Sequence, residues 1–203
     1  MKLDPDLIDG HAHLHEIADI GKVINKAILL GVKRIIAVGM DLGSNRRTLE
    51  ISKRFPENVF PAIGFHPWSI KEDDIEATIN YLEKHVDECV AIGEIGLDYK
   101  VKINKQVQWE VFSKILELAK NREKPVIIHT RFSEKRAFEM VTRANIRKAV
   151  FHWYSGPEDI LSDIIENGYF VSATPALAYS PRHRAAMEKS PIEQILIETD
   201  CPV

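Results

Sequence analysis

Eight short apolar runs punctuate the chain: "LIDGH", "RIIAVGM", "VFPAIGFHP", "VAIGEIG", "PVIIHT", "AVFHW", "YFVSAT" and "ILIETD". Most are continuously apolar rather than alternating, which is how parallel strands covered on both faces read. Amphipathic stretches lie between them. Val23, Ile24, Ala27 and Ile28 make one helical stripe, with Gly31 placed to end it. Phe112, Ile115, Leu116 and Ala119 make another, with Asn104 as its cap. Ile160, Leu161, Ile164 and Ile165 make a third, opened by Pro157 and closed by "ENG". This alternation predicts an α/β fold, a TIM (β/α)8 barrel, with an open doubly wound sheet as the rival. The barrel is preferred because it explains why polar residues gather at the ends of so many strands.

The 203 residues fit one domain spanning 1–203. Only "CPV" follows the eighth run. The last outer helix is therefore expected to be lacking, either because another surface covers the gap or because the chain is C-terminally incomplete. A formal net charge of -3 argues against a protein that holds nucleic acid through a broad basic surface. It leaves open a local grip on phosphate through metal ions. Two cysteines, Cys89 and Cys201, give no disulfide framework, so a reduced, cytoplasmic setting is expected. No run is long enough to span a membrane.

The strand ends carry the chemistry. His11 and His13 lie two apart on the first strand and so face the same side. His15 continues the alternation where the strand should be ending, and reads as a solvated loop residue. Glu94 ends the fourth run, where an unpaired carboxylate would be costly. His129 ends the fifth run, His152 the sixth and Asp200 the eighth. Any one of these has a bland explanation as a hydrogen-bonded core residue. Together they place four imidazoles and two carboxylates at one barrel mouth. Such a set can hold two divalent ions with one carboxylate between them. Two close cations make water a nucleophile near neutral pH and stabilise charge on a phosphoryl or carbonyl oxygen. Asp200 can orient or deprotonate that water.

Lesser candidates surround the set. His66 lies at the third strand's end and can contact a substrate phosphate, or is a loop histidine set by Pro67. Arg131 can bind a phosphate bidentately, or is an exposed helix-start residue. Asp98 reads as a loop-orienting carboxylate. Ser155 and Gly156 offer donors, although Ser155 also suits a cap for the following helix. Trp68, Trp153 and Tyr154 can stack on bases, or simply pack around the mouth.

The segments "DGHAHL", "AIGFHPW", "AIGEIGLDY", "PVIIHTR", "FHWYSG" and "ILIETDCP" resemble, in order and across nearly the whole chain, the TatD family of metal-dependent hydrolases. The resemblance implies a TIM barrel with His11, His13 and Asp200 on one ion, His129 and His152 on a second, and Glu94 bridging them. It implies that His66 contacts phosphate. It also implies a deoxyribonuclease, often one that digests single strands from their 3′ ends, with divalent cofactors. Gly10, Trp68, Trp153 and Tyr154 depart from the family's usual residues at substrate-facing positions. Glu94 stands where other amidohydrolase-like barrels use a carbamylated lysine.

The expected function is thus DNA phosphodiester hydrolysis with two divalent ions, Mg²⁺, Mn²⁺ or Zn²⁺. Imidazole-rich sites bind Zn²⁺ or Mn²⁺ more readily, while Mg²⁺ prefers oxygen. Two alternatives are a D-aminoacyl-tRNA deacylase acting on a carbonyl ester and a catalytically silent, metal-bound scaffold.

Overall fold

Each of the eight apolar runs forms a strand. The computed structural model describes residues 6–202. The strands are β1 (Leu7–Ala12), β2 (Val32–Val38), β3 (Val59–Ile63), β4 (Ala91–Asp98), β5 (Val126–Arg131), β6 (Ala149–Phe151), β7 (Phe170–Ala173) and β8 (Ile195–Ile197). They make one parallel sheet in sequential order. One α-helix follows each of the first seven: α1 (Ile20–Leu29), α2 (Leu42–Arg54), α3 (Ile75–His85), α4 (Lys105–Asn121), α5 (Glu134–Arg143), α6 (Glu158–Glu166) and α7 (Pro181–Lys189). The barrel, not the open sheet, is the fold.

The sheet nearly closes on itself just beyond β8. Ala12 bridges Cys201, the His13 N–H donates to the Cys201 carbonyl at 2.7 Å, and the Asp200 N–H donates to the His11 carbonyl at 2.9 Å. Asp9 stitches the same seam. Its carboxylate accepts from the Thr199 N–H at 2.9 Å and from the Thr199 hydroxyl at 2.6 Å. Gly10 lets the strands approach closely there, because a Cβ would stand 3.0 Å from the Ile197 carbonyl oxygen and push it back by a few tenths of an ångström. Among the described residues no helix follows β8, and Ile8 and Ile197 beside the seam are 44 % and 52 % exposed.

Val38, Ala62, Ala91 and Ile127 form a buried cluster drawn from four adjacent strands and so fill the barrel itself. A larger cluster lies between strands and helices, and Phe112, Ile115, Leu116 and Ala119 of α4 enter it as their spacing requires. Asn104 caps α4, accepting from the Gln106 N–H at 2.8 Å. The other two stripes need adjustment. Ile24 is fully buried, but Val23 is exposed at the edge of α1. Pro157 precedes α6 rather than opening its first turn, and Ser155 does not cap it. No helix of the described residues is long and apolar enough to cross a membrane.

His183 of α7 ties this helix to two strand ends. Its Nδ1 faces the Tyr154 carbonyl at 2.8 Å, and its Nε2 accepts from the Thr174 N–H at 3.1 Å. That pairing requires the neutral ring. Burial pushes its pKa below the usual histidine range, with only partial opposition from the Tyr154 carbonyl. The unfolded chain therefore takes up this proton at a higher pH than the folded one. The stabilisation is fully present above the ordinary histidine value and is lost as pH falls through it. Urea midpoints at pH about 7.5 and about 5.5 should fall less between the two conditions in His183→Gln than in the wild type.

Candidate metal centre

At the C-terminal mouth of the barrel, five of the eight histidines surround one carboxylate. Glu94 is 2 % exposed and lies on β4 where the register with β5 shifts between Ile92 and Ile95. Its Oε2 is 3.4 Å from His11 Nε2 and 3.5 Å from His13 Nε2. Its Oε1 is 2.7 Å from His152 Nε2, 2.9 Å from His129 Nδ1 and 3.2 Å from His66 Nε2. Burial alone would raise the Glu94 carboxyl. The surrounding imidazoles of His66, His152, His11 and His129 reverse that and hold it well below the usual carboxylate range.

All six strand-end residues expected to act together do meet. Asp200 Oδ1 is 3.4 Å from His11 Nε2 and 3.3 Å from His13 Nε2, and those two nitrogens are 3.2 Å apart. His13 Nδ1 faces the Val38 carbonyl at 3.3 Å, so its proton belongs there and Nε2 carries a lone pair. Asp200 Oδ1 is buried without a hydrogen-bond partner. A carboxylate oxygen and the Nε2 atoms of two imidazoles thus converge on one point. That donor set fits a divalent cation. His66, Glu94 and His129 form a second potential ligand group.

His66 is 1 % exposed and enters the cluster more deeply than a loop residue set by Pro67 would. Its Nδ1 accepts the Trp68 N–H at 3.1 Å, which leaves the ring proton on Nε2. Burial lowers its pKa to about 4, so the ring is neutral near pH 7. That N–H faces Glu94 Oε1 at 3.2 Å, so in this structure the carboxylate takes the donor that the phosphate-contact expectation assigns to substrate. His15 stays outside the cluster, but it is packed rather than solvated: it lies in the short helical turn Leu14–Glu16 with its side chain 12 % exposed, and its ion-pair partner among the described residues is Glu16 at 3.6 Å.

The partners behind these rings were less visible in the sequence. Asp98 does more than orient a loop. Its Oδ2 is 3.1 Å from His129 Nε2 and accepts the Trp68 indole N–H at 2.5 Å. Burial would raise the Asp98 carboxyl, but these contacts bring it down to about 2. Glu198 faces His152 Nδ1 at 3.2 Å. Against the lowering effect of burial, Glu94 and Glu198 hold the His152 ring well above the usual histidine range. Glu198 is a member of the site absent from the sequence expectations, although it lies only two residues before Asp200. Asp9, which anchors the seam beside His11, carried no local signal.

Phe132, Trp153 and Asp200 adopt left-handed φ values of 56°, 44° and 52°, each just past the end of its strand. Such strained conformations cluster at functional sites. Trp68, Trp153, Arg131 and Ser155 border the cavity of about 510 Å³ above Glu94, but Tyr154 does not. Tyr154 is 1 % exposed and donates its hydroxyl to the Pro157 carbonyl at 2.7 Å, so it is packing, not a stacking surface.

The chain is similar to known proteins along nearly its whole length. The family model described as TatD related DNase matches residues 8–203. An uncharacterized metal-dependent hydrolase of Methanocaldococcus jannaschii is 33 % identical over 205 residues, covering 98 % of this chain and 80 % of that protein. The deoxyribonuclease TATDN3 of Homo sapiens is 26 % identical over 213 residues, covering 97 % of this chain and 78 % of its own. A crystal structure of a TatD family hydrolase from Entamoeba histolytica superposes with a TM-score of 0.86 at 26 % identity, covering 99 % of this chain and 75 % of that one. The chain belongs to the TatD family of metal-dependent hydrolases.

Proposed function

We propose that this mouth is the active centre of a two-metal phosphodiesterase acting on DNA. The observation that carries the reading is the placement of Glu94, whose two oxygens face different groups of imidazoles. His11, His13 and Asp200 together with Glu94 would hold one divalent ion, and His129 and His152 together with Glu94 would hold a second. Bound there, divalent ions supply Lewis-acid polarisation of a phosphoryl oxygen and lower the pKa of water. Asp200 directs one oxygen at the His11–His13 pair, and its other oxygen is assigned to take the proton of the attacking water. Arg131 offers a guanidinium to the substrate phosphate, and His66 would donate its N–H there on turning it from Glu94 Oε1, 3.2 Å away. Asp98 and Glu198 hold His129 and His152 in the orientations that aim them at Glu94.

The test is incubation of a labelled single-stranded oligonucleotide with Mg²⁺ or Mn²⁺. Stepwise shortening from the 3′ end is expected. Release of the amino acid from D-aminoacyl-tRNA without DNA shortening would replace this reading with ester hydrolysis. Stoichiometric metal with no turnover on either substrate would leave a scaffold.

Glu198→Gln separates orientation from ligation. It keeps the volume but removes the charge behind His152. Metal affinity or turnover should fall about 10–100-fold, the usual effect of losing a partner behind a ligating histidine. Titration calorimetry with Mn²⁺ and the initial rate on the same oligonucleotide measure it. Wild-type values for both would show that Glu198 does not position His152.

A further inference from the structure

A second cavity of about 530 Å³ opens beside the metal-lined mouth. The two adjoin along Thr130, Arg131 and Ser155, which line both. None of the six strand-end residues borders the second cavity. Its walls come from the segments following β5 and β6 and from α7, which contributes Arg182 and Lys189. Lys189 is paired with Glu158. Arg131 and Arg182 have no carboxylate oxygen within 4.0 Å among the described residues, although Glu134 and Glu158 line the same cavity. Two guanidinium groups free of ion pairs in one groove suit an anion with several acceptor oxygens.

Phe132 adds a second, independent feature. It borders this cavity, is 65 % exposed, and has a φ of 56°, a conformation that disfavours a bulky residue. An apolar ring is thus held in the open against both hydration and backbone preference. Bases of any sequence stack on such a ring.

We infer that this groove seats the nucleotide adjoining the one at the metal centre, with its own phosphate on Arg182 and its base against Phe132, while Arg131 at the junction of the two cavities holds the phosphate that links the two nucleotides. The inference rests on the DNA reading of the mouth and deepens it. The preferred substrate is then a strand that reaches across both cavities, rather than a mononucleotide or an aminoacyl ester.

The probes are fluorescein-labelled oligothymidylates, with binding read by anisotropy in EDTA so that cleavage does not intervene. The wild type is expected to bind the tetranucleotide at least about tenfold more tightly than the dinucleotide, as one added stacking contact allows. In the Phe132→Ala/Arg182→Ala double variant that gain should fall below about threefold, and the log–log salt slope for the tetranucleotide should shrink by about 0.7. Arg182→Glu alone tests the phosphate contact with Phe132 intact. Arg34→Ala, an exposed arginine near the start of β2 and far from the mouth, controls for lost charge. The inference is overturned if the wild type shows no gain with length, if the double variant keeps the gain, or if Arg34→Ala acts equally. Loss of the gain in the double variant, with no DNA cleavage under any metal, would remove the hydrolytic reading and keep the groove. Cleavage with Mn²⁺ but no length-dependent binding would keep the hydrolase and remove the groove.

Discussion

Glu94→Gln is expected to lower turnover by more than about 100-fold and to abolish the stabilisation that added metal gives. The bound comes from comparison with groups one shell further out, whose loss costs about 10–100-fold. Glu94 touches five imidazoles, two through one oxygen and three through the other. Glutamine keeps the shape but carries no charge, and it places an amide N–H₂ where one of the two oxygens was. One group of imidazoles then meets a donor instead of an acceptor. Both candidate ion positions are affected together, because the two oxygens of Glu94 face both groups. Two measurements separate this from simple misfolding. Added Mn²⁺ should raise the melting temperature of the wild type by mass action but leave the variant where it was. Metal content after dialysis should fall with the activity. A variant that kept a wild-type metal response and a wild-type rate would remove Glu94 from the centre of the site.

The parts of the site that the sequence revealed are those governed by strand periodicity. His11 and His13 share a side because they are two apart, and Glu94, His129, His152 and Asp200 each follow an apolar run that had to be a strand. Parallel strands in sequential order then bring their C-terminal ends to one mouth. What stayed hidden depends on contacts between distant elements. Asp98 reaches His129 across 31 residues and Asp9 reaches Thr199 across 190, and nothing local in either segment announces the partner. Glu198 was within reach of the same period-two argument that paired His11 with His13, applied to the last strand. For Ser155 the sequence leaves a donor at the mouth and a helix cap as alternatives, because serine just before a proline-led helix suits either. The chain starts α6 at Glu158 and leaves Ser155 on the wall shared by both cavities.

Gly96→Ala is expected to cost about 3 kcal/mol of folding stability or more, placing it among the most damaging single changes available in this chain. Gly96 pairs with His129 in the β4–β5 ladder. A Cβ added to it would stand 2.1 Å from the His129 carbonyl oxygen and 3.0 Å from the His129 backbone nitrogen. Those are backbone atoms of a neighbouring strand, so no rotamer change relieves the clash. Its φ of 143° is also one that L side chains rarely adopt, which adds strain of roughly 1–3 kcal/mol. The two strands must therefore separate at the residue that presents His129 to Glu94, two positions after Glu94 itself. Gly43→Ala is the contrasting case. It lies in the first turn of α2, where an added Cβ comes no nearer than 3.6 Å to another group, the Asp41 carboxylate. Alanine there should be neutral or stabilise by up to about 1 kcal/mol through helix propensity and reduced unfolded-state entropy. Chemical denaturation of both variants, with Mn²⁺ binding measured in parallel, tests the pair. If Gly96→Ala were as stable as Gly43→Ala and still bound metal, the close approach of β4 to β5 at His129 would not be what sets the geometry of the mouth.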